Sequence, residues 1–400
     1  MKITSIDALL ITLPFRFAFK HNLASRDFSE NLIVRVVIED GPKRVVGYGE
    51  GIPRDYVTGE DPTGALNAVH SEYAPRFLQR TISNWHETVS VLEDEWKSLK
   101  LDGKPQGASW CAFETAILDA VSQLAGKRLA DLVCELPSAP LAAPRRDTRY
   151  GAVIPFGGKK ALAAVLWFYK LYGFKTVKIK VGKDRDLDLY KLKVARDILG
   201  SSVKLRVDAN CAWTADEAIR AAEQMRPFGV KSYEQPVPAN DLDGLAAITK
   251  AVPEQILVDE SLCTYNDARY LAENKICSAF NIRVSKVGGI LTARKIAAIA
   301  RQHGIACHMG AQVGESGILS AAGRTFAASQ PQFENYEGSN NLFLLKKDIS
   351  EENLNVGPGG IGSLFDKSGL GISVIQERLK QFVQPGSIKE QPPLRHETTV

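Results

Sequence analysis

The chain is 400 residues long, 44% hydrophobic and 24% charged, with a formal net charge of +4. That length exceeds one small core and suggests two domains, or one barrel with a cap. The mixed charge, without a basic block interleaved with aromatics or a long apolar run, argues against nucleic acid and a membrane as partners.

The first stretch alternates as strands do: Lys2-Ile3-Thr4-Ser5-Ile6, then Leu32 to Ile38, then Val45 to Glu50. Glu39-Asp40-Gly41 supplies turn chemistry between the last two, so an antiparallel meander is predicted. Phe15 to Ser29 reads as a long polar loop, and such loops often carry function. Within it, His21 and Arg26 are candidates to recognise an anionic group, against the plainer reading of a solvated loop. From about 64 to 126 the periodicity turns helical, ending in the apolar stripe Trp110 to Ala120. A meander followed by helices makes an α+β capping domain, assigned to residues 1–140, with Pro137, Pro140 and Pro144 marking the exit.

From Tyr150 short strand-like runs alternate with helices. The runs are Tyr150 to Ile154, Val177 to Val181, Lys204 to Asp208, Lys231 to Glu234, Ile256 to Asp259, Ala279 to Val284, Ala306 to His308 and Phe333 to Glu337. Amphipathic helices such as Asp184 to Leu199, Thr214 to Met225 and Leu291 to Gln302 lie between them, and Thr214-Ala215-Asp216-Glu217 opens its helix with a cap. The pattern predicts an α/β fold, a (β/α)8-type barrel, complete or with one modified unit, over residues 141–340. A doubly wound sheet is the alternative, but no GxGxxG follows the first strand.

Lys178 and Lys180 fall on one face of the run Thr176 to Gly182. Their mutual repulsion, with partial burial, is expected to lower a lysine pKa towards the working pH and make it a base. For an isolated KxK, a surface strand with a basic outer face would be the better reading. A row of acids shifts the balance. Asp208, Glu234 and Asp259 each end a strand run, one βα unit apart, which brings three carboxylates to the rim where barrel active sites sit. Crowded carboxylates repel unless a cation lies among them, and an all-oxygen set without His or Cys favours Mg²⁺ over zinc, with Mn²⁺ as the alternative. Singly, each acid would read as a helix cap or a solvated loop. The six cysteines form no CxxC pair and read as small core residues in a reducing cytoplasm, and Met1-Lys2-Ile3-Thr4 does not open a signal peptide.

Together these residues resemble the enolase superfamily, in its muconate-lactonizing-like branch (mandelate racemase and muconate cycloisomerase). The resemblance rests on Gly47-Tyr48-Gly49-Glu50, Lys178-Ile179-Lys180, Val207-Asp208-Ala209-Asn210, Tyr233-Glu234-Gln235-Pro236, Val258-Asp259-Glu260-Ser261 and Lys286-Val287-Gly288-Gly289. It implies a βα7β-like barrel whose cap is completed by the C-terminal segment 341–400, where Gly357 to Gly362 resembles the return of the chain. It implies Mg²⁺ held by Asp208, Glu234 and Asp259. It implies a small-molecule carboxylate whose α-proton passes to Lys180 through an enediolate, with Lys178 helping to set the base's pKa. Asn210 and Glu315 become candidate substrate contacts, and a homo-oligomer is expected. The polar run Gln391 to Glu397 is expected to be poorly ordered.

One departure bears on the reaction. The branch's racemases and epimerases place a second lysine on the sixth strand, where this chain reads Asn281-Ile282-Arg283-Val284-Ser285-Lys286. Arginine stays protonated and is a poor base. The expectation is therefore one-base chemistry, a cycloisomerisation or β-elimination, with Arg283 holding substrate or stabilising charge. The alternative is a racemase or epimerase of N-acyl amino acids or dipeptides using a second basic residue, for which Lys286 would turn inward. A structural Lys286, paired with Glu260 or a loop carbonyl, is the preferred reading. The eighth strand lacks the paired aspartates of many dipeptide epimerases. A non-catalytic barrel binding protein is the alternative of another class, against which the lysine pair and acid triad argue.

Overall fold

Three antiparallel strands open the chain: β1 (Lys2–Lys20), β2 (Ser25–Asp40) and β3 (Lys43–Gly51). The computed structural model describes residues 1–20, 25–99, 106–137, 139–154, 159–339 and 341–387. The expected loop from Phe15 to Ser29 is instead the outer end of the β1–β2 hairpin, with Pro14 paired to Phe28 and Phe19 to Arg26. Its apolar alternation is hidden because this end projects past the core: Phe17 and Phe28 are 54% and 38% exposed. His21 lies outside the described residues.

Helix Gly107–Leu124 packs across β3, and its first sixteen residues, Gly107 to Ser122, are all buried. Gly47, Gly49 and Gly51 alternate along one face of β3 and let the helix backbone press against the strand. A Cβ on Gly49 would lie 1.9 Å from the Ala112 carbonyl oxygen, and one on Gly51 1.9 Å from that of Ala108. Gly49→Val is therefore expected to destabilise the chain by about 3 kcal/mol or more, which denaturant titration followed by circular dichroism would measure.

The strand Asp147–Arg149 (β4) forms a small ribbon with Ile361–Ser363. The parallel barrel strands come next: β5 (Ala152–Ile154), β6 (Thr176–Lys180), β7 (Lys204–Asp208), β8 (Val230–Glu234), β9 (Gln255–Val258), β10 (Ala279–Ile282), β11 (Ala306–Met309) and β12 (Asn335–Tyr336). Each pairs with its successor, and the Gly151 N–H donates to the Tyr336 carbonyl at 2.8 Å, joining the two ends of the eight-stranded sheet. Helices cover its outside, and the capping box at Thr214 and Glu217 forms as the sequence suggests. The short segment Gln376–Phe382, followed by Val383 bridged to Ile11, lies against β1 as a helix, so this part of the tail is ordered. Residues 388–400 lie outside the described residues.

Cap and barrel are joined by carboxylates. Glu114, from the cap helix, accepts from the Leu291 N–H at 3.1 Å at the start of helix Gly289–Gln302. Glu50, from β3, accepts from the Ser316 and Leu319 N–H groups at 2.9 and 2.8 Å at the start of helix Gly317–Ala328. An acid at a helix N-terminus satisfies orphan N–H groups and meets the positive end of the dipole. Burial lifts both carboxyls, Glu50 to about 7 and Glu114 to about 8.

Candidate active site

β6 delivers Lys178 and Lys180 to one cleft, as strand alternation requires. Both are buried, at 4% and 7% exposure. Lys180 Nζ donates to Asp208 Oδ2 at 2.7 Å and to Asn210 Oδ1 at 2.5 Å. Asn210 and Cys211 adopt left-handed φ values of 43° and 62° just past β7, which turns the chain so that Asn210 meets the lysine; Asn tolerates that region better than most residues.

Lys178 is held differently. Its Nζ lies 3.0 Å from Glu234 Oε1, 2.6 Å from Glu337 Oε2 and 3.5 Å from Asp208 Oδ2. Burial works against its charge, yet Glu234, Glu337 and Asp208 outweigh it and hold the ammonium above its ordinary value. This corrects the expectation that lysine–lysine repulsion dominates. At hydrogen-bond range an opposite charge outweighs a like charge further off.

The acids are matched one by one with cations. Asp208, Glu234 and Asp259 are fully buried. Burial opposes the charge of Asp208, but Lys180 and Lys178 hold its carboxyl well below the usual range. Burial lifts Glu234, with Lys178 opposing and Asp208 adding to the lift. Arg206 donates to Glu234 Oε2 at 3.1 Å and to Glu337 Oε1 at 2.8 Å, and Asn281 donates to Glu234 Oε1 at 2.9 Å. Arg283 Nη2 and Lys286 Nζ contact the two oxygens of Asp259, the latter at 2.8 Å. Among the described residues, no three acids, histidines or cysteines are drawn together as a ligand set.

The donor chemistry nevertheless suits a hard cation. Every candidate ligand is a carboxylate oxygen, as Mg²⁺ prefers. Asp208 also lifts Glu260 after burial does so, so these like charges sense one another across the same space. Glu260 Oε2 and Asn281 Oδ1 are buried acceptors without a hydrogen-bond partner, which is costly unless something positive meets them.

The cleft has a volume of about 110 Å³ and is lined by Lys178, Lys180, Asn210, Glu260, Arg283 and Glu337 from the barrel side, with Arg54 and Tyr56 over them from the cap. A larger cavity of about 660 Å³ lies beside Trp96 and Leu291, lined by the Glu93–Lys295 ion pair, by Glu114 and Lys97, and by further polar and apolar groups. Its lining includes neither lysine of the pair, whereas both line the smaller cleft, so chemistry rather than volume points to the latter. β6 and β10 are second and sixth in the sheet, and Arg283 follows β10 directly, so Lys180 and Arg283 face each other from opposite walls.

Lys286 does not turn inward. It is fully buried behind Asp259 and also donates to the Asp259 and Asn281 carbonyls. Burial lowers it to about 8, and it is not among the residues that line the cleft. Glu315 accepts from the Gln312 N–H at 2.6 Å and lies behind the cleft wall rather than on it. Burial lifts it to about 8. Arg26 sits 5.9 Å over the Tyr56 ring, at the cap edge of the cleft. Glu337, Arg206 and Arg54 were not singled out by sequence, and Glu260 was named there only within a motif and as a partner for Lys286. Glu337 carried a signal, an acid ending the eighth strand run, whereas Arg206 and Arg54 sit in no motif.

A model of the family described as "Enolase C-terminal domain-like" matches residues 161–378. The L-Ala-D/L-Glu epimerase of Bacillus subtilis (strain 168) is 31% identical over 377 residues, covering 93% of this chain and 97% of its own. The structure of a dipeptide epimerase from Enterococcus faecalis V583, complexed with Mg and the dipeptide L-Leu-L-Tyr, superposes with a TM-score of 0.82 at 27% identity, covering 93% of this chain and all (100%) of its own. The muconate lactonizing enzyme of Pseudomonas fluorescens, complexed with muconolactone, superposes with a TM-score of 0.85 at 25% identity, covering 96% and 99%. The higher identities fall on epimerases, so the comparisons favour the racemase or epimerase alternative over the cycloisomerisation expected first. The chain is an isomerase-type enzyme of the enolase superfamily, in its mandelate racemase and muconate lactonizing branch.

Proposed function

We propose that this enzyme racemises or epimerises an N-acyl amino acid or a dipeptide at the carbon next to a carboxylate, with Mg²⁺ as cofactor. The observation that carries this reading is that Lys180 and Arg283 line one cleft from opposite walls, with Asp208 and Asp259 paired to those two side chains and Glu234 to Lys178. It is supported by the epimerase relatives.

Asp208, Glu234 and Asp259, with Glu260 adjacent, would hold the cation. When bound, it supplies positive charge where the enediolate's charge develops. The chain's own groups do the rest. Lys180 takes the α-proton from one face, and Asn210 orients its Nζ. Lys178 stays an ammonium, pinned by Glu234 and Glu337, and contributes fixed charge rather than a proton. Arg283 presents N–H groups to the opposite face, where it delivers the proton that inverts the centre. His308 is buried 3.4 Å from Gln255 and takes no part.

The test is incubation with Mg²⁺ in D₂O over a library of N-acyl amino acids and dipeptides. The expected result is deuterium at the α-carbon together with growth of the opposite stereoisomer. Absence of deuterium from every substrate overturns the reading. A second reading, β-elimination or cycloisomerisation, is favoured by one observation: Arg283 is a poor base. It would show as product formation without inversion.

Metal binding is measurable by itself. Mg²⁺ at about 100 times its dissociation constant is expected to stabilise the fold by about 2.7 kcal/mol, a rise of a few degrees in Tm by scanning fluorimetry. Asp208→Asn is expected to lose that rise.

A further inference from the structure

Arg54 is 4% exposed and lines the cleft from the cap side. Its Nη2 donates to Ser29 Oγ at 2.9 Å, while its Nη1 is buried without a hydrogen-bond partner. Lys178, Lys180 and Arg283 each contact a buried carboxylate; Arg54 has no ion pair with a described carboxylate. A guanidinium left with free N–H groups in a buried cleft is unfavourable by itself. Arg26 stacks on Tyr56 at the same edge, and its Nε is also buried and unpartnered. Burial, with the Arg26 charge added, pushes Arg54 down to about 10, and Glu30 offsets this only in part.

The side chain is also held in place by a buried relay. Ser29 Oγ donates to Asn31 Oδ1 at 2.5 Å, and Asn31 Nδ2 donates to Glu50 Oε1 at 2.5 Å and to the Gly314 carbonyl at 2.9 Å. Glu50 in turn accepts from the Ser316 hydroxyl at 2.5 Å. Ser29, Asn31, Glu50 and Ser316 are all fully buried. The relay ties the Arg54 guanidinium to the barrel loop that supplies Gln312 and Val313 to the same cleft. Such a chain fixes one edge of the guanidinium and leaves Nη1, on the other edge of a side chain that lines the cavity, without a partner.

We propose that Arg54 receives a second anionic group of the substrate through Nη1, so that the preferred substrate is a dianion with one carboxylate at the barrel floor and another under the cap. This rests on the α-proton chemistry proposed for the same cleft and specifies its substrate class. The second carboxylate can sit on the acyl group or on an amino-acid side chain, and both offer the same planar acceptor to the guanidinium.

Matched pairs decide it. One set compares an amino acid N-acylated by a dicarboxylic acid with its monomethyl ester. The other compares dipeptides carrying Glu and Gln. With Mg²⁺ in D₂O, the wild type is expected to favour the acidic member of one set at least tenfold in kcat/KM, through KM, and the set that responds locates the anion. Arg54→Gln is expected to bring that ratio to about one, and Arg54→Lys to restore part of it. A wild-type ratio near one in both sets, or a ratio retained in Arg54→Gln, overturns the proposal. Should no compound exchange its α-proton, the proposed reaction falls, and Arg54 is then judged by titrating the same pairs as ligands with thermal shift. Tighter binding of the acid by the wild type but not by Arg54→Gln supports the subsite, and equal binding rejects it.

Discussion

Lys180→Ala is expected to slow α-proton exchange about a hundred- to ten-thousand-fold, the range for removing a positioned general base. Few groups can reach the substrate's α-carbon from the β6 wall. Lys178 is the neighbour, but it is fixed between Glu234 and Glu337 and held as an ammonium, so it has no lone pair to offer. Asn210 accepts hydrogen bonds but is no base. With Lys180 gone, Asp208 keeps Lys178 at 3.5 Å, so its charge is still partly matched and the Mg²⁺-induced rise in Tm should survive. The pairing of lost exchange with retained thermal shift separates a missing base from a damaged site. Exchange at a tenth of the wild-type rate or more in this variant would assign proton abstraction elsewhere.

The acids and lysines of the site were legible because they lie at strand ends, where a local pattern fixes position: alternation puts Lys178 and Lys180 on one face, and the βα repeat puts Asp208, Glu234 and Asp259 on one rim. Their partners were not. Arg206 reaches Glu234 and Glu337 from inside the barrel, a contact set by closure of the sheet between β5 and β12, which no stretch of sequence encodes alone. The same long-range closure brings Glu337 to Lys178 and reverses the expected direction of that lysine's shift. The outer hairpin was missed for the opposite reason. Its strands pair beyond the core, so burial imposes no alternation on Phe17 or Phe28. Arg54 escaped notice because Ile52-Pro53-Arg54 fits no period, and its meaning comes from Ser29 and Asn31 on the neighbouring strand.

The stereochemical outcome turns on Arg283. Once Lys180 has taken the proton, the enediolate can be reprotonated on either face. Return from Lys180 gives exchange with retention; delivery from the Arg283 wall gives inversion. Arg283 carries N–H groups on that wall, but a guanidinium gives up a proton with little driving force, and it accepts one poorly. Asp259 is paired with the guanidinium. Deuterium is therefore expected to enter the stereoisomer that presents its α-hydrogen to Lys180 at least tenfold faster than that isomer inverts. Arg283→Lys, which supplies an amine able to cycle between both forms, is expected to raise the ratio of inversion to exchange about tenfold or more. Arg283→Met is expected to leave exchange with retention measurable while inversion falls about a hundredfold. Asp259 keeps Lys286 at 2.8 Å in both variants, so neither strands it as an unpaired buried charge. Nuclear magnetic resonance of the α-position and chiral chromatography of the same time course give both rates. If Arg283→Met inverts as fast as the wild type, the second face is served by another group, and the assignment of Arg283 to that face is wrong.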